Sequence, residues 1–424
     1  MSMLDALIAQ IQAAPDDDAP RLAWANAVGG ERGELVIVQC RLASGAVVNR
    51  DEWRRLRARE RELLAANGVE WSGLAGEYPS SCVFRRGFVE ALGVVCSYDS
   101  RLDRILGAVP LARSVANELV DQDDYDFAKL VANPRCSELA ALRIGSHSAA
   151  APVPPVGGRG DRAIEQLAKH GVALRALAVT NCSRVGARLL EESGLLARVE
   201  RLALGSVEDG ARIIAAAPRL RALYIGGALD RYASAIPRTV VELECHVSGG
   251  IDAVAALAIA PTLERLRVEA LEFTWDFETL GAFPALRSLD LSRAKPGPRY
   301  VPVIKFPLAV GSFAIDRPGV LPALREVSLG FQFDQQSIES VARAFGPQLD
   351  TLHWSGRVPH DARSSQALRE TIEAPLGAGD AAVAAHVDGE FVVGMMPPWA
   401  RRPLEFGDNG GGPWFEGGVV AVRN

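Results

Sequence analysis

Through most of this chain, apolar residues return in one fixed phrase: two apolar positions three apart, then a third two further on. LERLRV at 263–268 comes back as LRSLDL at 286–291. The same spacing joins Leu139, Leu142 and Ile144, then Leu174, Leu177 and Val179, then Val199, Leu202 and Leu204. It continues through Leu220/Leu223/Ile225, Val240/Leu243/Cys245, Leu324/Val327/Leu329 and Leu349/Leu352/Trp354. Nine copies, most of them 20 to 25 residues apart, predict an array of short structural repeats.

The spacing has a direct physical meaning. The second and third apolar residues of a copy are two apart, so they share one face of a short strand, and the residues between them take the other. Leu266 and Val268 therefore point inward, whereas Arg265, Arg267 and Glu269 point outward. One copy cannot fold alone. Burying a Leu or Val contributes roughly 1.5–3 kcal/mol, and ordering each of some twenty residues costs about 1–2 kcal/mol in backbone entropy. Only stacked neighbours close that gap. The predicted class is α/β: an irregular leucine-rich repeat solenoid over 80–360, with a curved parallel sheet and helices on its convex side. The array is expected to begin near 84–95, with Val89, Leu92 and Val94 on the same spacing and a helix over 99–109.

Before the array, Leu4, Leu7, Ile8 and Ile11 mark one helical face, Pro15 ends that helix, and Asp16 to Asp18 offer N-caps for a second. A third helix is expected over 31–43. A fourth, over 50–67, mixes Arg54, Arg55, Arg59 and Arg61 with Glu52, Glu60 and Glu62, as a solvated face with local ion pairs does. The run PDDDAPRLAWANAVGGERGELVIVQCRLA (15–43) resembles the small N-terminal repeat-companion domain of bacterial repeat proteins. The resemblance is carried by Asp16 to Asp18, Arg21, Leu22, Ala25, Arg32, Gly33, Glu34 and Gln39. Asn26, Ala27 and Val28 depart from that family's Asp-Trp-Leu. It implies a helical partner for repeats over 1–75 and no reaction.

After the array, AAVAAHVDGEFVVGMM (381–396) carries Asp-Gly between alternating apolar runs, a hairpin signal, and 412–424 reads as further strand. A β-rich cap over 361–424 is the expectation, since a terminal repeat must cover its apolar face. The Pro- and Gly-rich stretches 147–162 and 294–321 are expected to be loops. GRGDRA at 158–163 matches a dinucleotide-binding phrase, but a Pro-rich stretch precedes it where such a site needs a strand.

Composition changes little. The net charge of −6 over 424 residues implies no long-range pull on nucleic acid or anionic lipid, so neither is expected as a partner. No apolar run is long enough for a spanning helix, and the N-terminus lacks a secretory pattern. Six scattered cysteines fit reduced, buried thiols in the cytoplasm. DQDDYD (121–126) lacks the Gly and distal Glu of a calcium loop. No hydrolase, zinc-protease, dithiol or phosphate-loop motif occurs, and the six histidines show no ligand spacing. No cofactor or metal is expected.

Candidate function therefore sits on the outward columns. One reads Arg143, Ala178, Ala203, Tyr224, Glu244, Arg267, Asp290, Ser328 and His353; another includes Ala176, Arg201, Ala222, Glu242, Arg265 and Ser288; a third includes Gly205, Gly226, His246 and Glu269. Tyr224, Glu242, Glu244, His246, Arg265, Arg267, Glu269, Asp290 and His353 are the partner-binding candidates, because Tyr and Arg commonly anchor interfaces. Opposite charges side by side also suit a self-satisfied ladder. The small residues from Ala176 to Gly226 suggest a shallow channel. The function read from this pattern is non-catalytic protein–protein recognition by a scaffold or specificity subunit. An enzyme with a site assembled from the charged columns or the C-terminal segment is the alternative.

Overall fold

A computed structural model of the chain describes residues 2–43, 50–73, 81–94, 99–117, 141–144, 159–247, 251–273, 277–291, 294–296, 320–329, 340–341, 343–345, 351–357, 382–385, 390–394 and 418–420. They belong to two compact units, one of residues 1–219 with 401–424 and one of 220–400.

The first unit opens with α1 (Met3–Ala13), α2 (Ala19–Val28), α3 (Gly30–Ala43) and α4 (Arg50–Trp71). Ser2 and Asp5 start α1 reciprocally: the Ser2 hydroxyl accepts from the Asp5 amide, and the Asp5 carboxylate accepts from the Ser2 amide. The acidic turn before α2 works differently from the expected cap. Asp18 stands at the cap position without a side-chain cap bond, and Asp17 accepts from the Ala19 amide at 2.9 Å. On α4 the mixed charges do pair, as Arg59 donates to both oxygens of Glu34 on α3 at 2.9 Å. That pairing holds the Glu34 carboxyl below its usual range.

An antiparallel hairpin follows, β1 (Ser81–Arg85) and β2 (Phe88–Val94), and its antiparallel start was not legible in the repeat spacing. Both turn residues, Arg86 and Gly87, have positive φ (50° and 89°), the requirement of a tight two-residue hairpin. Gly87 is also fixed by packing, since a Cβ there would overlap Val36 of α3. Strand β2 then runs parallel to β3 (Ser114–Asn117), β4 (Ala141–Ile144), β5 (Ala176–Cys182) and β6 (Arg201–Val207), in that order. Leu92, Val115, Leu142, Leu177 and Leu202 fall at one level. Helices α5 (Asp99–Ala108), α6 (Arg159–His170), α7 (Arg184–Glu192) and α8 (Gly210–Ala215) alternate with these strands. The GRGDRA phrase opens α6, and its Asp161 carboxylate accepts from the Ser183 amide at 2.9 Å and from the Ser183 hydroxyl.

The second unit contains β7 (Ala222–Ala228), β8 (Glu242–Val247), β9 (Arg265–Phe273), β10 (Ser288–Leu291), β11 (Ala294–Pro296), β12 (Glu326–Leu329) and β13 (Thr351–Arg357). All but β11 pair in chain order as a parallel ladder. Three inward rows fill the space behind it: Leu220, Val240, Leu263, Leu286 and Leu324, then Leu223, Leu243, Leu266, Leu289 and Val327, then Ile225, Cys245, Val268, Leu291 and Leu329, all buried. The turns also hang on one another through the backbone just before each strand. The Arg221 carbonyl accepts from the amides of Val241 and Glu242, Val241 from Glu264 and Arg265, Glu264 from Arg287 and Ser288, and Arg287 from Arg325 and Glu326.

Among the described residues, the connections from β7 to β10 carry only α9 (Asp252–Ala255), α10 (Phe277–Leu280) and brief 3-10 turns at Leu229–Arg231, Ala233–Ala235 and Ala260–Thr262. This is the irregularity the uneven repeat length predicts. Part of the expected loop at 294–321 is strand instead, since β11 pairs with β9 through Ala270 and Phe273. Residues 297–319, 121–126 and 147–158 lie outside the described residues.

In the C-terminal stretch, β14 (Ala382–Ala385) and β15 (Glu390–Gly394) pair antiparallel, and β15 pairs with β13; the Asp-Gly between them lies outside the described residues. Of the last segment, residues 418–420 are described. Its strand β16 (Gly418–Val420) pairs antiparallel with β1 of the first unit.

Cys40, Cys182 and Cys245 are buried and free. Burial is the main cause that pushes each thiol up to about 12. Fully reduced folded protein at pH 8 is therefore expected to leave all three unalkylated by iodoacetamide over a time that modifies them completely in urea. The linkage has one sign. The unfolded chain ionises these thiols from near 9, so their contribution to stability is intact below pH 9 and is lost as pH rises toward 12.

Candidate functional site

The parallel ladder of the second unit sets the outward residues in the predicted columns. Tyr224, Glu244, Arg267, Asp290, Ser328 and His353 stand at one level, and Ala222, Glu242, Arg265, Ser288, Glu326 and Thr351 at the next. The third column departs at one place. A shift in β7 between Ile225 and Ala228 sets Ala228, not Gly226, opposite His246. His246 pairs onward with Glu269 as expected. The side chains of Glu269 and His353 lie outside the described residues.

The charges meet as the register requires. Arg267 lies between two carboxylates, its Nη1 3.7 Å from Glu244 and its Nε 3.3 Å from Asp290. The three side chains are only 12, 11 and 7% exposed in the order Glu244, Arg267, Asp290. Pairs this sheltered are screened less by salt than surface pairs, so this triad is a fixed part of the sheet. Asp290 holds Arg267 in place more than it meets a partner. Next to it, Arg265 stands 3.9 Å from Glu242, both about one third exposed. With the half-buried Tyr224 and His246, that pair is the accessible part of the face. The described charges, Glu242, Glu244, Asp290 and Glu326 against Arg265 and Arg267, leave two negative charges over (four minus two).

Of the small residues expected to line a shallow channel, Gly205 and Ala222 are partly exposed and Gly226 is exposed, but the other three are covered. Ala176, Ala178 and Ala203 are 8, 3 and 5% exposed, too covered to floor an open groove.

A second charged centre was not foreseen, although several of its members stand in the companion-like phrase. Arg21 is fully buried and donates through Nη2 to Glu90 on β2 at 2.5 Å and to the Pro15 carbonyl at 2.9 Å. Its guanidinium also lies 5.6 Å from the Phe88 ring. Gln39 donates to Glu60 at 2.7 Å and accepts from the Gly87 amide at 2.5 Å. Arg32 sits over the rings of Trp24, Trp71, Phe84 and Phe88 at 5.3–5.8 Å, and burial lowers its pKa to about 10. Gly33 lies against the Ala25 carbonyl, where a Cβ would not fit. The phrase thus fastens helices α2 to α4 to the β1–β2 hairpin. The signal was an arginine and a glutamine on otherwise apolar helix faces, where buried polar groups need partners.

Among the described residues, no group of three metal-ligating side chains occurs, and no helix is long and apolar enough to cross a membrane. Fold and face together define a mixed α/β chain built on parallel repeats, consistent with a leucine-rich repeat solenoid.

No family profile matches the chain, and no curated protein does. Among solved structures it is similar to TLR13 in a complex with the RNA ssRNA13, at 16% identity and a TM-score of 0.29 over 65% of this chain and 33% of that one. It is also similar to a chain of the Toll–Spatzle complex of Drosophila, at 9% identity and a TM-score of 0.31 over 66% of this chain and 42% of that one. A Bacteroides fragilis protein matches at 14% identity and a TM-score of 0.26, over 70% of this chain and 68% of that one. The chain thus spans about a third of the first of these and under half of the second. At TM-scores this low the likenesses carry no argument, and the class rests on the strand register.

Proposed function

We propose that this protein is a non-catalytic recognition module, a bacterial cytoplasmic scaffold or specificity subunit that binds a protein partner on the outward face of the second unit's strands. The N-terminal helices act in this reading as a companion domain of the repeats. The observation that carries the proposal is the juxtaposition of Tyr224, Glu242, Arg265 and His246 at consecutive register positions, partly accessible beside an immobilised Glu244–Arg267–Asp290 triad. A fixed, patterned face keeps the ordering cost of binding low.

The test exchanges charges without removing the pair. Glu242→Arg combined with Arg265→Glu keeps opposite charges side by side but inverts the pattern a partner meets. Wild-type protein is expected to capture a partner from lysate of its native cell, and the exchanged variant, equally stable in urea, to lose it by at least tenfold in affinity. The same partner held with unchanged affinity by the exchanged variant and by Tyr224→Ala would remove this face from consideration.

A further inference from the structure

The geometry points to an anion site at the turn between α1 and α2, fitted to a phosphate group and independent of the strand-face reading. Three guanidinium groups, two from neighbouring residues of the hairpin and one from the start of a later strand, converge there on a single atom. Arg85 on β1, Arg86 in the hairpin turn and Arg113 just before β3 stand 3.9, 3.7 and 3.9 Å from Asp16 Oδ1. All three distances are ion-pair separations, too long for hydrogen bonds. One carboxylate oxygen cannot come close to three guanidinium forks at once; Arg86 Nη1 also donates to the Pro15 carbonyl at 3.4 Å, whereas Arg85 and Arg113 face this place with Asp16 beyond bonding distance.

The surrounding acids are already committed. Glu90 takes the Arg21 bond at 2.5 Å, with Arg85 3.8 Å away, and Asp18 faces Arg86 at 3.2 Å. Their side chains are 8 and 26% exposed, whereas that of Asp16 is 73% exposed. Among the groups joined by these contacts, Arg21, Arg85, Arg86 and Arg113 against Asp16, Asp18 and Glu90 leave four minus three, one positive charge, while Asp17 of the same turn is engaged with the Ala19 amide. With Asp16 turned out into solvent the balance is four minus two. A phosphate dianion matches that charge, and its acceptor oxygens outnumber those of a carboxylate, so each fork can be met at bonding distance. Asp16 acts as a displaceable occupant of the place that a phosphate would take, and it competes with it.

The experiment is calorimetric titration of the full chain, wild type and Asp16→Asn, with inorganic phosphate, O-phosphoserine and acetate in chloride buffer. Removing one like charge beside the bound dianion is expected to raise phosphate affinity about tenfold in Asp16→Asn. Adding Arg113→Gln or Arg85→Gln to that variant is expected to abolish the gain. Both arginines are about one third exposed, so these variants keep the fold, which urea unfolding checks. Tighter binding of O-phosphoserine than of inorganic phosphate assigns a monoester as the ligand, and the reverse order assigns the free ion. The proposal is overturned if Asp16→Asn binds no phosphate, if the gain survives loss of both arginines, or if acetate binds as tightly as phosphate.

Discussion

Glu90→Ala is expected to cost the first unit about 3–5 kcal/mol. The reason is what stays behind. Arg21 is fully buried, and Glu90 is the carboxylate to which it donates at 2.5 Å. Without it, a guanidinium remains in the interior with only the Pro15 carbonyl, the more distant Arg86 carbonyl and the edge of an aromatic cluster for compensation. Arg21→Ala should be comparably harmful, because it strands the Glu90 carboxylate and opens a void beside Phe88. The double replacement Arg21→Met with Glu90→Leu should be markedly less harmful than either single loss, since removing both charges also removes their desolvation cost. Urea unfolding of the four proteins measures the coupling directly. A strictly additive cycle would show that the pair does not act as a unit.

The second large effect tests the alternation on which the repeat reading depends. Leu266→Ala removes a side chain 1% exposed in the middle inward row of the second unit. It should cost about 2–5 kcal/mol through lost burial and the remaining cavity. Its chain neighbour Arg265 points the other way, is about one third exposed and stands 3.9 Å from Glu242. Arg265→Ala should therefore cost no more than about 1 kcal/mol. The ratio matters more than either value. Equal losses at two adjacent positions would mean that this strand does not divide its residues between an interior and an exterior.

The strand register was legible because it depends on period alone. Within a strand, a residue two places from a buried one is buried too, so nine copies of one phrase set level after level before any contact was known. The pairing Glu242–Arg265, Glu244–Arg267–Asp290 and His246–Glu269 followed from that. The bulge in β7 did not, because Gly226 and Gly227 satisfy the spacing in either register and carry no side chain to choose between them. The covered alanines were misread for a related reason. A small side chain shows that room is not needed, whereas Ala178 at 3% exposure shows that room is not there. The helices α1 to α4 were legible from apolar spacing, yet the partners of their polar residues were not. Arg21, Arg32 and Gln39 find partners 48 to 69 positions away, on a hairpin whose turn needs Gly87 against Val36. Separations of that kind leave no periodic trace. The arginines around Asp16 are likewise scattered at 85, 86 and 113, and only folding assembles them.

The carbonyls of Arg221, Val241, Glu264 and Arg287 each take two successive amides from the following turn. This seam is made of main-chain atoms alone, so it is indifferent to what any turn displays outward. A copy could be duplicated, deleted or exchanged at such a joint, and the flanking copies would meet the same two amides as before. Specificity can thus change by editing whole turns, provided that no proline enters where those amides are supplied.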